Sequence, residues 1–140
     1  MLQAIELAKT SGENVLPNPL VGALVVLDDE IVGRGWHKGS GSIHAEVMAL
    51  SEAGKQSIGA TMYVTLEPCN HFGKTPPCSA AIIKADIAEV YVASIDVNKR
   101  VHGGGVRQLQ EAGIKVVVGL EEKAEKAMNA SWHEMIRAER

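Results

Sequence analysis

Apolar residues recur at two different periods along the 140-residue chain, and the switches between them outline its elements. Leu2, Ile5 and Ala8 are spaced for one face of a short helix over residues 1–9, which stops at the turn formers TSGEN. The stretch LVGALVVLDDEIVGRGWH, residues 20–37, holds two β-branched runs on either side of Asp28-Asp29-Glu30, the pattern of an antiparallel hairpin. After the glycine-rich KGSGS, residues 44–53 are rich in Ala, Glu, Met and Leu and end before Gly54, predicting a second helix. TMYVTL predicts a third strand, residues 78–85 a third helix and VYVASI a fourth strand. Between Asp96 and Gly113 there is room for a helical crossover at 104–112 before a fifth strand, KVVVG, so strands four and five should run parallel. A last helix over 121–137 opens with acids, which suit the positive end of its dipole, and closes with basic residues. The sum is an α/β chain: a mixed five-stranded sheet with helices on both faces, a three-layer α/β/α sandwich.

Composition narrows the partners. Apolar residues make up 46% and charged residues 22%, as in an ordinary globular domain, and the longest apolar runs, such as LVGALVVL, are too short to cross a bilayer. No membrane partner is expected. The first residues lack the basic start and unbroken apolar stretch of a secretory signal, so the cytoplasm is the expected compartment. In that reducing compartment two nearby cysteines point to metal or catalysis more often than to a bridge. A net charge of −3 and five aromatic residues offer neither a basic stripe nor a stacking platform for nucleic acid, so a small molecule is the expected partner. With no internal repeat and no low-complexity tract, residues 1–140 read as a single domain.

Both cysteines stand in TLEPCNHFGKTPPC, residues 65–78, where three readings compete: a disulfide, a structural metal knot and an open metal site. Two thiols do not complete a zinc site, and His44 in His44-Ala45-Glu46 is the candidate third ligand. It opens a helix, Cys69 follows a strand, and Cys78 opens another helix behind Pro76-Pro77. A helix start lowers a cysteine pKa and favours the thiolate that binds metal. His44, Cys69 and Cys78 would leave one tetrahedral position for water, the arrangement of a catalytic zinc. Glu46 is then placed to carry a proton from that water to a leaving amine. His-x-Glu followed by Pro-Cys resembles the signature of zinc nucleobase deaminases, although here the second cysteine follows after eight residues and not two. His37 has even claims to the site and to a bare strand end, whereas His102 and His133 read as solvated histidines. Gly103-Gly104-Gly105 reads as a helix-start turn, since its spacing fits no phosphate loop.

With these residues in place, the chain resembles the deaminases of bacterial riboflavin biosynthesis, the RibD-type diaminohydroxyphosphoribosylaminopyrimidine deaminases of the cytidine-deaminase-like superfamily. The resemblance runs through PNPLVGALVV, the spacing of His37 to HAE, GATMYVTLEPCNHFGKTPPC and AGIKVVVG. It implies the cytidine-deaminase-like fold, one Zn2+ per chain on His44, Cys69 and Cys78, and Glu46 as the proton shuttle. The implied reaction is hydrolysis of the 2-amino group of 2,5-diamino-6-(5-phosphoribosylamino)pyrimidin-4(3H)-one, giving 5-amino-6-(5-phosphoribosylamino)uracil and ammonia. Asn18, His37, His71, Lys74, Thr75, Asp96 and Asn98 match the family's substrate-contacting positions. A homo-oligomer, dimer or higher, is expected by the same resemblance.

Two departures stand out. The family pattern Asp-Pro-Asn-Pro reads Asp96-Val97-Asn98-Lys99 here, and its Gly-Lys-Gly reads Gly103-Gly104-Gly105, which changes the surroundings of the ribose phosphate. Many relatives also continue into an NADPH-dependent reductase domain, whereas these residues read as one zinc-dependent deaminase domain with no reductase activity. The rival readings are a deaminase of another purine or pyrimidine (free base, nucleoside or tRNA) with the same zinc chemistry, and a non-catalytic zinc-binding module.

Overall fold

Strands and helices alternate where the apolar periods predict them. The computed structural model describes residues 1–11, 18–39, 42–70, 77–98 and 101–138. In chain order these hold α1 (Leu2–Ala8), β1 (Gly22–Leu27), β2 (Glu30–Trp36), α2 (Ala45–Ala53), β3 (Thr61–Leu66), α3 (Cys78–Lys84), β4 (Glu89–Ser94), α4 (Gly104–Glu111), β5 (Lys115–Val118), α5 (Glu122–Met128) and α6 (Ala130–Ala138). The sheet order is β2-β1-β3-β4-β5. β1 pairs antiparallel with both β2 and β3, while β3–β4 and β4–β5 are parallel, so the sheet is mixed and strands four and five run as expected.

Period-two alternation sorts the side chains onto two faces. Ala23, Val25, Met62, Val64, Val90 and Val92 are fully buried and join one cluster with Ala45, Ala49 and Ala53 of α2, Ile82 of α3, and Val106 and Leu109 of α4. Each fully buried Val, Leu or Met there contributes about 1.5–3 kcal/mol relative to exposure. α1 and α5 pack on the opposite face, against β1 and β4. Leu24, Tyr63, Tyr91 and Val117 stand in register across that face, and the two tyrosine rings stack at 5.0 Å. Helices on both faces make the three layers.

α2 lies unusually close to the sheet. A Cβ on Gly33 or Gly35 of β2 would run into the backbone carbonyl of Ala49 or Ala45, so only glycine lets the two backbones meet. That close approach fixes the start of α2, and His44 with it, beside the end of β2.

Three local expectations change. The hairpin turn is the two-residue Asp28-Asp29, with φ of 51° and 64°, and Glu30 belongs to β2. Positive φ at both central residues is the type I′ geometry, whose twist matches the strands it joins. The last helix is two helices, broken at Asn129, where φ is −107° and ψ 28°. His133 is not solvated: it is 2% exposed, turned inward from α6 onto Glu125, which itself is fully buried.

This topology gathers the candidate residues at one end of the sheet. β3 and β4 are parallel, so Glu67 and Asp96 both follow carboxyl ends of strands; β1 runs against β3, so its approach from Asn18 starts there. β2 runs against β1, and His37 follows its last residue at the same end. A crevice beyond the carboxyl ends of parallel strands is where open α/β sheets take their ligands.

Candidate active site

His44, Cys69 and Cys78 come together although 34 residues of chain separate the first from the last. His44 is the N-cap of α2, in extended conformation, and its ring therefore projects off the helix start. Cys69 sits three residues beyond β3, and Cys78 is the first residue of α3 behind Pro77. The Nδ1 of His44 is 3.0 Å from the Cys78 sulfur and 3.9 Å from that of Cys69, and all three donor atoms lie within 4.8 Å of one another. Zinc bond lengths in a tetrahedron ask for donor separations of about 3.6–3.8 Å, which these distances bracket. The donor set, one imidazole and two thiols, is the right chemistry for that ion.

The electrostatics of the three donors follow from the same contacts. Cys78 donates its thiol proton toward Cys69, and its backbone N–H, at the start of α3, reaches the Cys69 sulfur at 3.3 Å. Cys69 is thereby lowered to about 4, while Cys78 is pushed up by the proton it shares and by its burial. His44 is raised, first by its hydrogen bond to Cys69. The Cys78 sulfur is closer to the ring, but the negative charge is on Cys69, and charge decides the direction. The backbone N–H of Ser79 adds a bond to the Cys69 carbonyl at 3.0 Å, which pins the loop to the helix start.

Glu46 stands in the first turn of α2, 4% exposed. Burial raises it to about 7, although its own backbone N–H and the nearby His44 pull the other way. A carboxyl poised near neutrality beside a metal site is equipped to accept a proton and return it.

His37 is brought to the site: it is buried and its ring meets that of His44 edge-on, with centroids 5.9 Å apart. Burial, followed by repulsion from His44, lowers its pKa. Asn18 is half-buried on the approach to β1. Asp96 is buried, raised to about 6 by burial despite the backbone N–H of Asn98, which it accepts at 2.8 Å. His71, Lys74 and Thr75 lie outside the described residues.

Two groups that sequence reasoning passed over hold this end of the sheet together. Glu67 is 3% exposed, and its carboxylate accepts three backbone N–H groups: Asp96 at 3.2 Å, Gly103 at 2.8 Å and Val106 at 2.9 Å. It thus ties the residue two before Cys69 to the end of β4 and the start of α4. The signal was there: an acid between an apolar strand and a proline, and a Gly-Gly-Gly helix start with no capping side chain of its own. Those glycines also have a packing task. A Cβ on Gly105 would meet the Pro68 carbonyl, and one on Gly104 the Asn70 side-chain amide, so at Gly105 α4 abuts the cysteine loop backbone to backbone. The second group is Glu125, Asn129 and His133, spaced i, i+4, i+8 along the last helical segment.

Comparison with known proteins agrees with this geometry. The sequence model of the cytidine and deoxycytidylate deaminase zinc-binding region matches residues 1–94. The chain is 47% identical over 137 residues to a diaminohydroxyphosphoribosylamino-pyrimidine deaminase of Buchnera aphidicola subsp. Schizaphis graminum, covering 98% of this chain and 93% of that protein. The chain belongs to this deaminase family. Within it, the chain is a RibD-type domain: it is 49% identical over 140 residues to the riboflavin biosynthesis protein RibD of Synechocystis sp., covering all of this chain and 38% of that one. It superposes on the solved Acinetobacter baumannii RibD with a TM-score of 0.94 at 47% identity, covering 96% of this chain and 38% of that one. The chain thus spans about two fifths of the RibD relatives it matches. Family and donor set together make this a site for one zinc ion per chain. Among the described residues, no helix is long and apolar enough to cross a membrane.

Proposed function

We propose that the chain is a hydrolytic deaminase of 2,5-diamino-6-(5-phosphoribosylamino)pyrimidin-4(3H)-one, forming 5-amino-6-(5-phosphoribosylamino)uracil and ammonia. The observation that carries the reading is the buried carboxyl of Glu46 one turn-start away from the converging His44, Cys69 and Cys78. The name of the Buchnera relative, which this chain covers almost end to end, supports the substrate.

In this reading His44, Cys69 and Cys78 hold the zinc. The ion, when bound, supplies Lewis acidity that activates a water molecule near neutral pH. Glu46 would accept one proton from the attacking water and pass it to the ring nitrogen of the substrate, and would then carry the second, from the new hydroxyl on the reacting carbon, to the departing amine. The guanidine-like carbon is a weak electrophile, so protonation of the ring and attack on the carbon must coincide. Burial keeps Glu46 available in both protonation states near pH 7. His37, Asn18, Asp96 and Asn98 line the end of the sheet where the pyrimidine and ribose would lie. His71, Lys74 and Thr75 complete the contacts from the cysteine loop, with the lysine as a charged donor for the anionic substrate. Ammonia leaves from the carbon that received the water oxygen, and no redox partner is needed. A non-catalytic zinc module gives no role to a carboxyl buried where Glu46 is, and desolvating a carboxyl is costly.

The test is ammonia release from the diaminopyrimidinone ribotide by zinc-loaded protein, beside Glu46→Gln and with cytidine, guanine and adenosine as controls. Release from the ribotide alone, lost in the variant with zinc retained, is the expected result. Release from a control instead reassigns the substrate, and retained zinc with no release from any of them overturns the enzymatic reading.

A further inference from the structure

Asn129 occupies the break between α5 and α6 and is 4% exposed. Its side-chain amide is fully used. Oδ1 accepts the Leu20 backbone N–H at 2.8 Å, while Nδ2 donates to the Leu20 carbonyl at 2.9 Å and to Glu125 Oε2 at 2.8 Å. The chemistry decides which way the amide faces, because Glu125 and the Leu20 carbonyl only accept and the Leu20 N–H only donates. Glu125 is fully buried, and its two oxygens meet Nε2 of His133 at 3.0 and 3.2 Å. The break after α5 thus presents a braced amide that grips one residue 109 positions earlier by both its backbone groups.

The gripped residue is not a neutral choice. Leu20 follows Asn18-Pro19, and proline fixes its own φ and restricts the residue before it. Orienting Leu20 therefore orients Asn18. The next two residues are held as well: the Val21 carbonyl accepts the backbone N–H of His37 at 3.0 Å, and the Gly22 N–H donates to Thr65 Oγ1 at 3.1 Å. The short run 18–22 is clamped from Asn129, from the end of β2 and from β3. The Asn129 clamp acts ahead of the sheet, on the part of the run that bears Asn18.

We infer that Asn129 is a positioning residue for the substrate pocket, holding Leu20 through both its backbone groups and so setting the placement of Asn18 across the Pro19 link. The inference rests on the reading of Asn18 as a substrate contact. It also accounts for an asparagine at a helix break, where a side chain that bonds to backbone elsewhere replaces continued helix.

The test uses the zinc-loaded full chain with four proteins: parent, Asn129→Ala, Asn18→Ala and the double variant. Ammonia release from the ribotide gives kcat and KM, zinc content is measured on each, and hydrogen exchange is followed in peptides covering 18–22. The expected result is a KM raised about tenfold by Asn129→Ala, with kcat within about twofold, zinc unchanged and faster exchange at Leu20. The double variant should have no higher KM than Asn18→Ala, since two residues acting through one contact do not add. If Asn129→Ala gives no folded protein, Asn129→Ser is read in its place, because its shorter hydroxyl side chain cannot hold both backbone groups of Leu20. An unchanged KM in the Asn129 variant, beside a raised KM for Asn18→Ala, overturns the positioning role alone. An unchanged KM for Asn18→Ala overturns the reading of Asn18 and the inference with it.

Discussion

The carboxylate of Glu67 accepts the backbone N–H of Val106 at 2.9 Å across 39 residues of sequence, joining the cysteine loop to the start of α4. Its other oxygen accepts the N–H groups of Asp96 and Gly103, so both sides of the carboxylate are committed. A glutamine offers one acceptor oxygen where two are needed and turns an amine toward N–H groups. Glu67→Gln should lose about 2–3 kcal/mol of stability. Denaturant unfolding of the zinc-loaded pair checks it, and a loss below the error of the method would show that this bridge does not hold α4.

Gly105 sets how near α4 comes to that loop. A methyl group there meets the Pro68 carbonyl, so Gly105→Ala must push the helix or the loop aside. A cost of about 1–3 kcal/mol is expected, together with weaker zinc retention, because Cys69 is the neighbour of Pro68. Competition with a chromogenic chelator measures the second effect; unaltered zinc affinity would mean that the loop yields without moving its cysteine.

Zinc removal should distinguish the two cysteines. Cys78 is 1% exposed at the first turn of α3, whereas Cys69 is only partly buried. Iodoacetamide on the chelator-stripped chain is expected to modify Cys69 first, and zinc should protect both. The melting temperature should also fall on stripping, since a ligand that binds only the folded state stabilises it. Peptide mass spectrometry reads the order, and earlier modification of Cys78 contradicts it.

Asp96 carries a pH signature. Burial, with added repulsion from Glu67, holds it at about 6 in the folded chain, against about 3.9 when unfolded. The folded state therefore binds more protons in this range. The associated stability is complete below about pH 4 and is lost as pH rises toward 6, by at most about 3 kcal/mol. Asp96→Asn has no such titration, so the variant should gain on the parent as pH rises from about 4 to 6.5. Urea titrations at several pH values test this, and a difference that stays flat across that range contradicts it.

The local part of the molecule was legible because it depends on neighbours in the chain. β-branched and apolar runs marked all five strands, TMYVTL to the residue, and Gly54 marked the end of α2. The hairpin turn was placed, but its length was not, since two aspartates tolerate the left-handed conformation that a type I′ turn requires and an acid-rich turn can as readily be longer. The break at Asn129 was missed because the helix period continues through it: Glu125, Asn129 and His133 keep i, i+4 spacing, and what interrupts the helix is a bond to Leu20. His133 was misjudged for the same reason, since its burial comes from what α6 packs against and not from its own neighbours in sequence.

The sequence by itself determined the element order, the parallel pair β4–β5, and the donor types at His44, Cys69 and Cys78 with Glu46 beside them. Those follow from periodicity and from the chemistry of each residue type, both of which are local. Only the tertiary structure decided that the three donors converge within 4.8 Å, that His37 meets His44, and that Glu67 and Asn129 clamp the strand ends around them. Such contacts close loops of tens of residues. The partners of Glu67 and Asn129 are backbone groups, which nearly every residue carries, so residue type alone does not mark which ones will be held.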